Sequence, residues 1–179
     1  MKKLFLIYLF ACIGVLQSLA DDFSYTDENG VTWGCRITSE DDKTVTITSA
    51  TNYGDVVVIP ETVYKGTSDK YTVTTLSLSF DNNKTLEKVT LPKTVTSLGY
   101  GMFQGCISLK EILNTSQLQY IGGYTFLGCT NLTKIDLSSC VKIYNNTFQG
   151  CSNLGSSDKV RGIPTQISTI HDRKRTVCP

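Results

Sequence analysis

FQGCISL at residues 103–109 returns as FLGCTNL at 126–132 and again as FQGCSNL at 148–154. The phrase F-x-G-C-x-x-L therefore repeats at intervals of 23 and then 22 residues. A fixed period of about 20 to 29 residues with apolar residues at constant offsets is typical of a solenoid, in which each coil buries its apolar face by stacking on its neighbours. The sequence therefore predicts a stack of similar coils.

The repeat extends in both directions from this phrase, and four coils with a partial fifth are recognisable over residues 57–170. The first coil is interrupted by the polar segment 65–70, whose composition predicts a protruding hairpin loop. The fifth begins at Leu154 and continues to Ile170 without a Phe or Cys of its own. An unfinished coil leaves strand edges exposed, so we expect either fraying beyond Leu154 or self-association through this C-terminal end.

The offsets inside each coil predict its local structure. Val89-x-Leu91 has the spacing of a strand, so neighbouring coils should form a parallel β ladder. Phe103 and Cys106 are three residues apart, the spacing of a short helical turn, and Gly105 ends that turn. The predicted fold is a leucine-rich-repeat solenoid that is β-rich, with short helical turns and a parallel ladder.

The segments outside the repeat have different patterns. Apolar and polar residues alternate over 31–37 and 44–48, between clusters of turn-forming residues, so residues 21–56 are predicted to form an N-terminal β-hairpin cap. Residues 21–61 hold nine acidic residues against Arg36 and Lys43, which indicates a solvated acidic face. Residues 171–179 form a basic tail, for which a solvated, disordered state is expected.

The first 20 residues have the pattern of a signal peptide. Lys2 and Lys3 precede an apolar run over residues 4–16, and Ser18-Leu19-Ala20 provides a cleavage site. This run is too short to span a membrane. Cleavage would leave a chain that begins at Asp21, with 15 basic and 16 acidic residues. In an alternative interpretation residues 9–12 are a lipoprotein box with a lipidated Cys12, although Phe fits the second position of that box poorly.

Six cysteines remain after this cleavage, and an even number in an exported protein is typical of disulfides. Their spacing favours another interpretation for four of them. Cys106, Cys129 and Cys151 occupy one repeat position, and Cys140 falls where other coils have Val95 and Leu118. We therefore predict that these four are reduced thiols packed in the core. Cys35 and Cys178 lie outside the repeat, and whether they pair is open.

No group of residues predicts catalysis, a metal site or a cofactor site. His171, the one histidine, lies beyond the last coil and has no partner set that would make it a base or a ligand. The glycines of segment 99–105 have the wrong spacing for a dinucleotide loop. The acidic pairs at 21–22 and 41–42 lack the spacing of a calcium loop. The net charge of +1 argues against a nucleic-acid surface. We expect a protein that is not an enzyme.

The predicted ladder offers the most informative surface, because side chains alternate between its two faces. With Ile112 and Asn114 of the third coil pointing inward, two rows of side chains face outward. Solenoid proteins commonly bind partners through such a face. The predicted partner-binding residues are Val56, Lys88, Glu111 and Lys134 in one row and Val58, Thr90, Leu113 and Asp136 in the other.

Two kinds of residue stand out in these rows. Glu111 lies between two lysines, which favours a stabilising ladder of charges over a ligand contact. Leu113, Val56 and Val58 are expected to be exposed apolar groups, and these are the better candidates for contact with a partner.

The repeat unit resembles the bacterial leucine-rich repeats of the BspA type. The resemblance rests on LEKVTLP at 86–92, on the Val95-x-x-Leu98-Gly99 segment and on FQGCISL at 103–109, and it covers residues 57–170. It implies a secreted or surface-displayed protein of a gut or oral bacterium of the Bacteroides kind, or of a host-associated protist, with adhesion to host proteins or other cells as its role. The leading hypothesis is an exported, non-enzymatic module that binds an extracellular or cell-surface protein. The alternative is a structural spacer, or a truncated remnant of a longer surface repeat protein.

Overall fold

The computed structural model describes residues 22–154 and the backbone of residues 160–161. The predicted signal peptide, the basic tail and most of the fifth coil lie outside the described residues. No helix in the described part of the chain is long and apolar enough to cross a membrane. The strands are β1 (Asp22–Thr26), β2 (Thr32–Ser39), β3 (Thr44–Thr51), β4 (Val56–Val58), β5 (Thr62–Lys65), β6 (Asp69–Leu76), β7 (Lys88–Thr90), β8 (Ser97–Leu98), β9 (Glu111–Leu113), β10 (Tyr120–Ile121), β11 (Ile135–Asp136), β12 (Lys142–Ile143) and β13 (Val160–Arg161).

A five-stranded sheet in the order β1-β2-β3-β6-β5 forms the N-terminal end. The alternating segments form β2 and β3, which pair antiparallel and bury Trp33, Cys35, Val45 and Ile47 on one face. The polar interruption of the first coil is a hairpin: β5 and β6 pair antiparallel around a turn at Gly66, where φ is +67°. Because β6 also pairs in parallel with β3, this hairpin joins the N-terminal strands to the first coil.

Two parallel ladders run through the coils. The first ladder consists of β4, β7 and β9, and a bridge between Glu111 and Lys134 extends it to β11, which pairs with β13. The second ladder consists of β8, β10 and β12. Each inward side chain of one coil stacks on its equivalent in the next, as Val57, Val89 and Ile112 do in the first ladder.

A column of phenylalanine rings fills the side of each coil that carries the turns. Phe80, Phe103, Phe126 and Phe148 lie with ring centroids 5.3–5.5 Å apart and with interplanar angles between 2° and 7°. The edge of the Tyr53 ring covers Phe80 at 5.3 Å and closes the N-terminal end of the column. Burial of one such ring contributes about 1.5 to 3 kcal/mol, which explains why the Phe recurs in the first four coils.

The predicted helical turns are single hydrogen-bonded turns. The Cys106 N–H donates to the Phe103 carbonyl at 3.1 Å, and Gly105 lies within this turn with a φ of +67°. Over residues 22–154 no segment forms an α-helix. The turn positions the cysteine, because the Cys106 thiol then donates to the carbonyl of Phe80 in the preceding coil at 3.0 Å.

The expectation that Asn114 points inward like Leu91 is not met. The repeat places it at the inward position of Leu91, but its backbone adopts a φ of +58° and its amide donates to the Leu91 carbonyl at 2.8 Å. Thr115 is buried instead, with 3% of its surface exposed, and its hydroxyl accepts the Asp136 N–H at 3.1 Å. The physical reason is that burial of an unpaired amide is costly, whereas asparagine tolerates the left-handed backbone conformation better than most residues.

Candidate functional site

The eight predicted partner-binding residues lie on the outward face of the first ladder. In one row Val56 pairs with Lys88, Lys88 with Glu111, and Glu111 with Lys134. In the other row Val58 pairs with Thr90 and Thr90 with Leu113. Because Glu111 bridges Lys134 in parallel, Asp136 lies next to Leu113 and continues this row. The inward neighbours of these rows are buried, so the strands hold both rows at fixed spacing.

Glu111 pairs with both lysines of the first row. The Glu111 carboxylate is 2.9 Å from the Lys88 ammonium and 2.7 Å from that of Lys134. The hydrogen bond from Lys134, followed by that from Lys88, lowers the pKa of the Glu111 carboxyl from its usual value. A third pair, Lys110 with Glu87 at 2.7 Å, lies beside this row. These pairs connect neighbouring coils along the first ladder.

The exposed apolar surface of this face is concentrated at β4. Val56 is 52% exposed and Val58 is 54% exposed, as expected. The expectation that Leu113 is also exposed is wrong, because it is half-buried. The reason is that β4 is an edge strand with a neighbour on one side only, whereas side chains on β9 are flanked by those of coils two and four. The apolar part of this face is therefore the N-terminal edge of the ladder.

The cysteines are placed for packing. The five described cysteines, which are Cys35, Cys106, Cys129, Cys140 and Cys151, are buried thiols. Burial raises the pKa of Cys35 to about 12 and that of Cys106 to about 11. A nucleophilic or metal-ligating cysteine needs the thiolate, which such values suppress at neutral pH. The described residues contain no group of three or more side chains suited to hold a metal ion.

A second exposed surface lies beside the second ladder and was not predicted from the sequence. We define this tyrosine face by Tyr100, Tyr120, Tyr124, Tyr144 and Lys142. Tyr100 is 73% exposed, and the Tyr120 and Tyr144 side chains are also exposed. The rings come from three coils but occupy different repeat positions, so the alignment of the repeats gave no signal that they meet. Tyrosine content in segments 97–101, 120–124 and 142–146 was the available clue.

Comparisons with known proteins agree with this architecture. Six copies of the BspA type leucine rich repeat region match residues 75–173, more than half of the chain. A leucine rich cell surface protein from Faecalibacterium prausnitzii A2-165 is similar, with 33% identity over 72% of this chain and a TM-score of 0.59. The chain spans about one third of that protein, since it covers 34% of its length.

A second solved structure is similar in fold. A leucine-rich repeat protein from Bacteroides capillosus ATCC 29799 matches 79% of this chain and 98% of its own, with 24% identity and a TM-score of 0.63. Among curated proteins none matches the chain significantly. The resemblance to BspA-type repeats and the solenoid fold predicted from the sequence are thus confirmed.

Proposed function

Because the chain belongs to the family of BspA-type leucine-rich repeats, we propose that it is an exported, non-enzymatic module that binds an extracellular or cell-surface protein. Similarity to a bacterial leucine rich cell surface protein supports this proposal. The observation that carries it is the apolar edge of the first ladder, where Val56 and Val58 are exposed on a strand that the coils hold rigid. Rigid strands present side chains to a partner with little further loss of conformational entropy.

Binding at this edge would combine apolar and charged contacts. Val56 and Val58 supply the apolar centre, and the ion pairs around Glu111 lie beside them as a charged rim. Burial of the exposed halves of both valines is worth about 1.5 kcal/mol, since a fully buried valine contributes about 1.5 kcal/mol or more. Loss of both contacts should therefore weaken binding about tenfold.

The experiment uses the chain from Asp21 onward and a panel of purified extracellular-matrix and cell-surface proteins. Saturable binding to a member of the panel should weaken about tenfold in the Val56→Thr/Val58→Thr variant, which keeps the shape and the strand preference of valine. Val141→Thr is the matched control, because Val141 is 61% exposed but lies beside the second ladder. Equal loss in the control, or binding that the double variant leaves unchanged, would contradict the assignment of this edge.

Export is part of the same proposal and is tested separately. We expect the protein recovered from its native source to begin at Asp21, because residues 1–20 have the pattern of a signal peptide. Mass spectrometry of the N-terminal peptide measures this. An intact Met1 would argue against export by this route, and a lipid on Cys12 would support the lipoprotein alternative.

A structural spacer is the second candidate function, and one observation favours it. Glu111 pairs with both Lys88 and Lys134, so the carboxylate at the centre of the first ladder already has its partners within the chain. A spacer needs the stack of coils and no particular outward residue. Failure of every member of the panel to bind, with a stable fold, is the result expected for a spacer.

A further inference from the structure

The tyrosine face contains a pair of rings in contact. The Tyr100 and Tyr124 rings touch, with centroids 5.3 Å apart and planes tilted by 43°. A Cβ atom placed on Gly123 would lie 3.1 Å from the Asn145 carbonyl oxygen, 3.8 Å from the Tyr100 ring and 3.8 Å from the Tyr144 Cβ. Gly123 therefore packs against the backbone of the fourth coil and brings Tyr144 close to the ring pair.

Tyr124 is held in a strained conformation on this face. Its φ is +60°, at the repeat position where the second coil has Gly101 (φ +62°) and the fourth has Asn146 (φ +57°). Glycine and asparagine adopt this left-handed conformation readily, whereas a bulky aromatic residue rarely does. Strained residues of this kind cluster at ligand sites, where the surrounding structure holds them in place. Tyr124 thus has an unfavourable left-handed backbone conformation, and its ring packs against that of Tyr100.

The charges of the coils are distributed unequally between the two ladders. Segments 94–101, 117–124 and 139–146, which carry the second ladder, contain a single charged residue, Lys142. Its ammonium lies 4.4 Å from the centroid of the Tyr144 ring, and it takes part in none of the ion pairs of residues 22–154. The face therefore offers aromatic rings, phenol hydroxyls and one positive charge that no carboxylate of the described residues neutralises.

This chemistry fits one class of ligand. The C–H face of a pyranose ring packs against an aromatic ring, its hydroxyls bond to phenol and amide groups such as that of Asn145, and a carboxylate on the sugar pairs with a lysine. The face has several phenol hydroxyls and one ammonium group but few exposed aliphatic side chains, which favours a sugar as its occupant. In the three segments of the second ladder Val141 is the one exposed large aliphatic side chain.

We propose that the tyrosine face binds an acidic oligosaccharide, with sugar rings packed on Tyr100, Tyr124 and Tyr144 and a sugar carboxylate or sulfate on Lys142. This proposal goes beyond the binding of a protein at the first ladder, because it concerns a different face and a different class of ligand. It also holds if the first ladder binds nothing.

The test is an NMR titration of the chain from Asp21 onward, with amide signals as the measurement. The acidic probes are octasaccharides of hyaluronan and chondroitin sulfate together with sialyllactose, and cellohexaose is the neutral probe. Saturable shifts confined to residues around Gly123, Tyr124 and Lys142, with an acidic probe bound about tenfold more tightly than cellohexaose, are the expected result. No saturable shift at this face with any acidic probe at millimolar concentration would overturn the proposal.

Variants that copy a neighbouring coil make the test specific. Tyr124→Asn introduces the residue that the fourth coil has at this position, and Tyr144→Gly introduces the residue found in the second and third coils. Each should keep the fold and weaken binding about tenfold, the loss expected for one stacked ring. Lys142→Gln should abolish the preference for acidic over neutral probes.

Tyr64→Ser on β5 is the control, because Tyr64 is an exposed tyrosine outside the second ladder, and this variant should bind each probe as the unaltered chain does. Unchanged affinity in both Tyr124→Asn and Lys142→Gln would show that the sugar binds elsewhere and would refute the proposal. Thermal unfolding of each variant separates loss of the site from loss of the fold.

Discussion

The thiols of Cys106, Cys129 and Cys151 perform the same task in three successive coils, since each donates to a phenylalanine carbonyl of the coil before it at 3.0 Å. These contacts connect neighbouring coils at the centre of the core. Each thiol is a second donor to a carbonyl that already accepts a backbone N–H, as the Phe103 carbonyl does from Cys106.

Substitution of one such cysteine should destabilise the fold. Cys129→Ser places a shorter and more polar group at a fully buried site, where its hydroxyl reaches the Phe103 carbonyl poorly. We expect the free energy of unfolding to fall by about 1 to 3 kcal/mol. Urea denaturation measures the change. Ser152→Ala, which removes an exposed hydrogen bond between coils, is the control and should change the free energy by less than about 0.5 kcal/mol.

The same thiols make stability depend on pH on the alkaline side. Burial raises the pKa of Cys106 to about 11, whereas the unfolded chain releases this proton near the ordinary value of 9.0. The stabilisation is fully present below pH 9, and it is lost between pH 9 and about 11 as the unfolded chain gives up its proton first. The expected slope is up to about 1.4 kcal/mol per thiol per pH unit. Denaturation midpoints that stay constant from pH 8 to 10.5 would contradict this.

At the residue scale, the sequence predicted the position of a side chain where burial of an apolar group decides it. Phe103 and Cys106 recur because each coil must fill the same internal space, so their repetition predicted their positions. Asn114 and Thr115 could not be assigned in this way. Their placement depends on which backbone conformation satisfies a buried polar group, and the repeat pattern holds no information about that choice.

At the scale of elements, the close approach of successive coils requires glycine at one position of the second ladder. A Cβ on Gly122 would lie 2.7 Å from the Gly99 carbonyl carbon and 2.7 Å from the Tyr100 nitrogen. Backbone atoms cannot move aside as a flexible side chain can. This contact fixes how tightly the third coil packs on the second.

Gly122→Ala should therefore separate the second and third coils locally and lower the free energy of unfolding by about 1 to 3 kcal/mol. Gly54→Ala is the matched control, because a Cβ there meets no atom within 4 Å. We expect the control to change stability by less than about 1 kcal/mol, in either direction. Thermal denaturation of both variants gives the comparison. Equal effects would show that the close contact relaxes at no cost.

The two ladders differ in how far the sequence predicts them. The rows of the first ladder follow from the alternation of inward and outward residues, so the neighbours of Glu111 could be named in advance. The tyrosine face could not be predicted, because Tyr100, Tyr124 and Tyr144 occupy three different repeat positions. Their convergence depends on the turn geometry that follows the second ladder. The binding roles proposed for both faces remain predictions.

At the scale of the whole molecule, the two ends of the described stack differ. The five-stranded sheet and Tyr53 cover the first coil, whereas β13 pairs with β11 beyond the fourth. The backbone of residues 160–161 thus supplies a partner for Ile135 and Asp136. An atypical terminal unit is what a repeat protein needs at each end.

Truncation after Leu154 removes that partner strand and should lower the free energy of unfolding, because it leaves an open edge at β11. Chemical denaturation of the truncated and full chains measures the loss. We also expect the truncated chain to associate more readily, which sedimentation velocity at several concentrations detects. An unaltered midpoint and a monomer at every concentration would show that residues 155–179 contribute nothing to the stack.

The column of aligned phenylalanine rings has a mechanical consequence. Because each coil bonds only to its two neighbours, tension applied along the column acts on the contacts between coils in series, and the weakest of them yields first. Each release would lengthen the chain by about 80 Å, the extended length of a 23-residue repeat such as that from Cys106 to Cys129. A stack pulled along this axis would therefore extend in steps, one coil at a time.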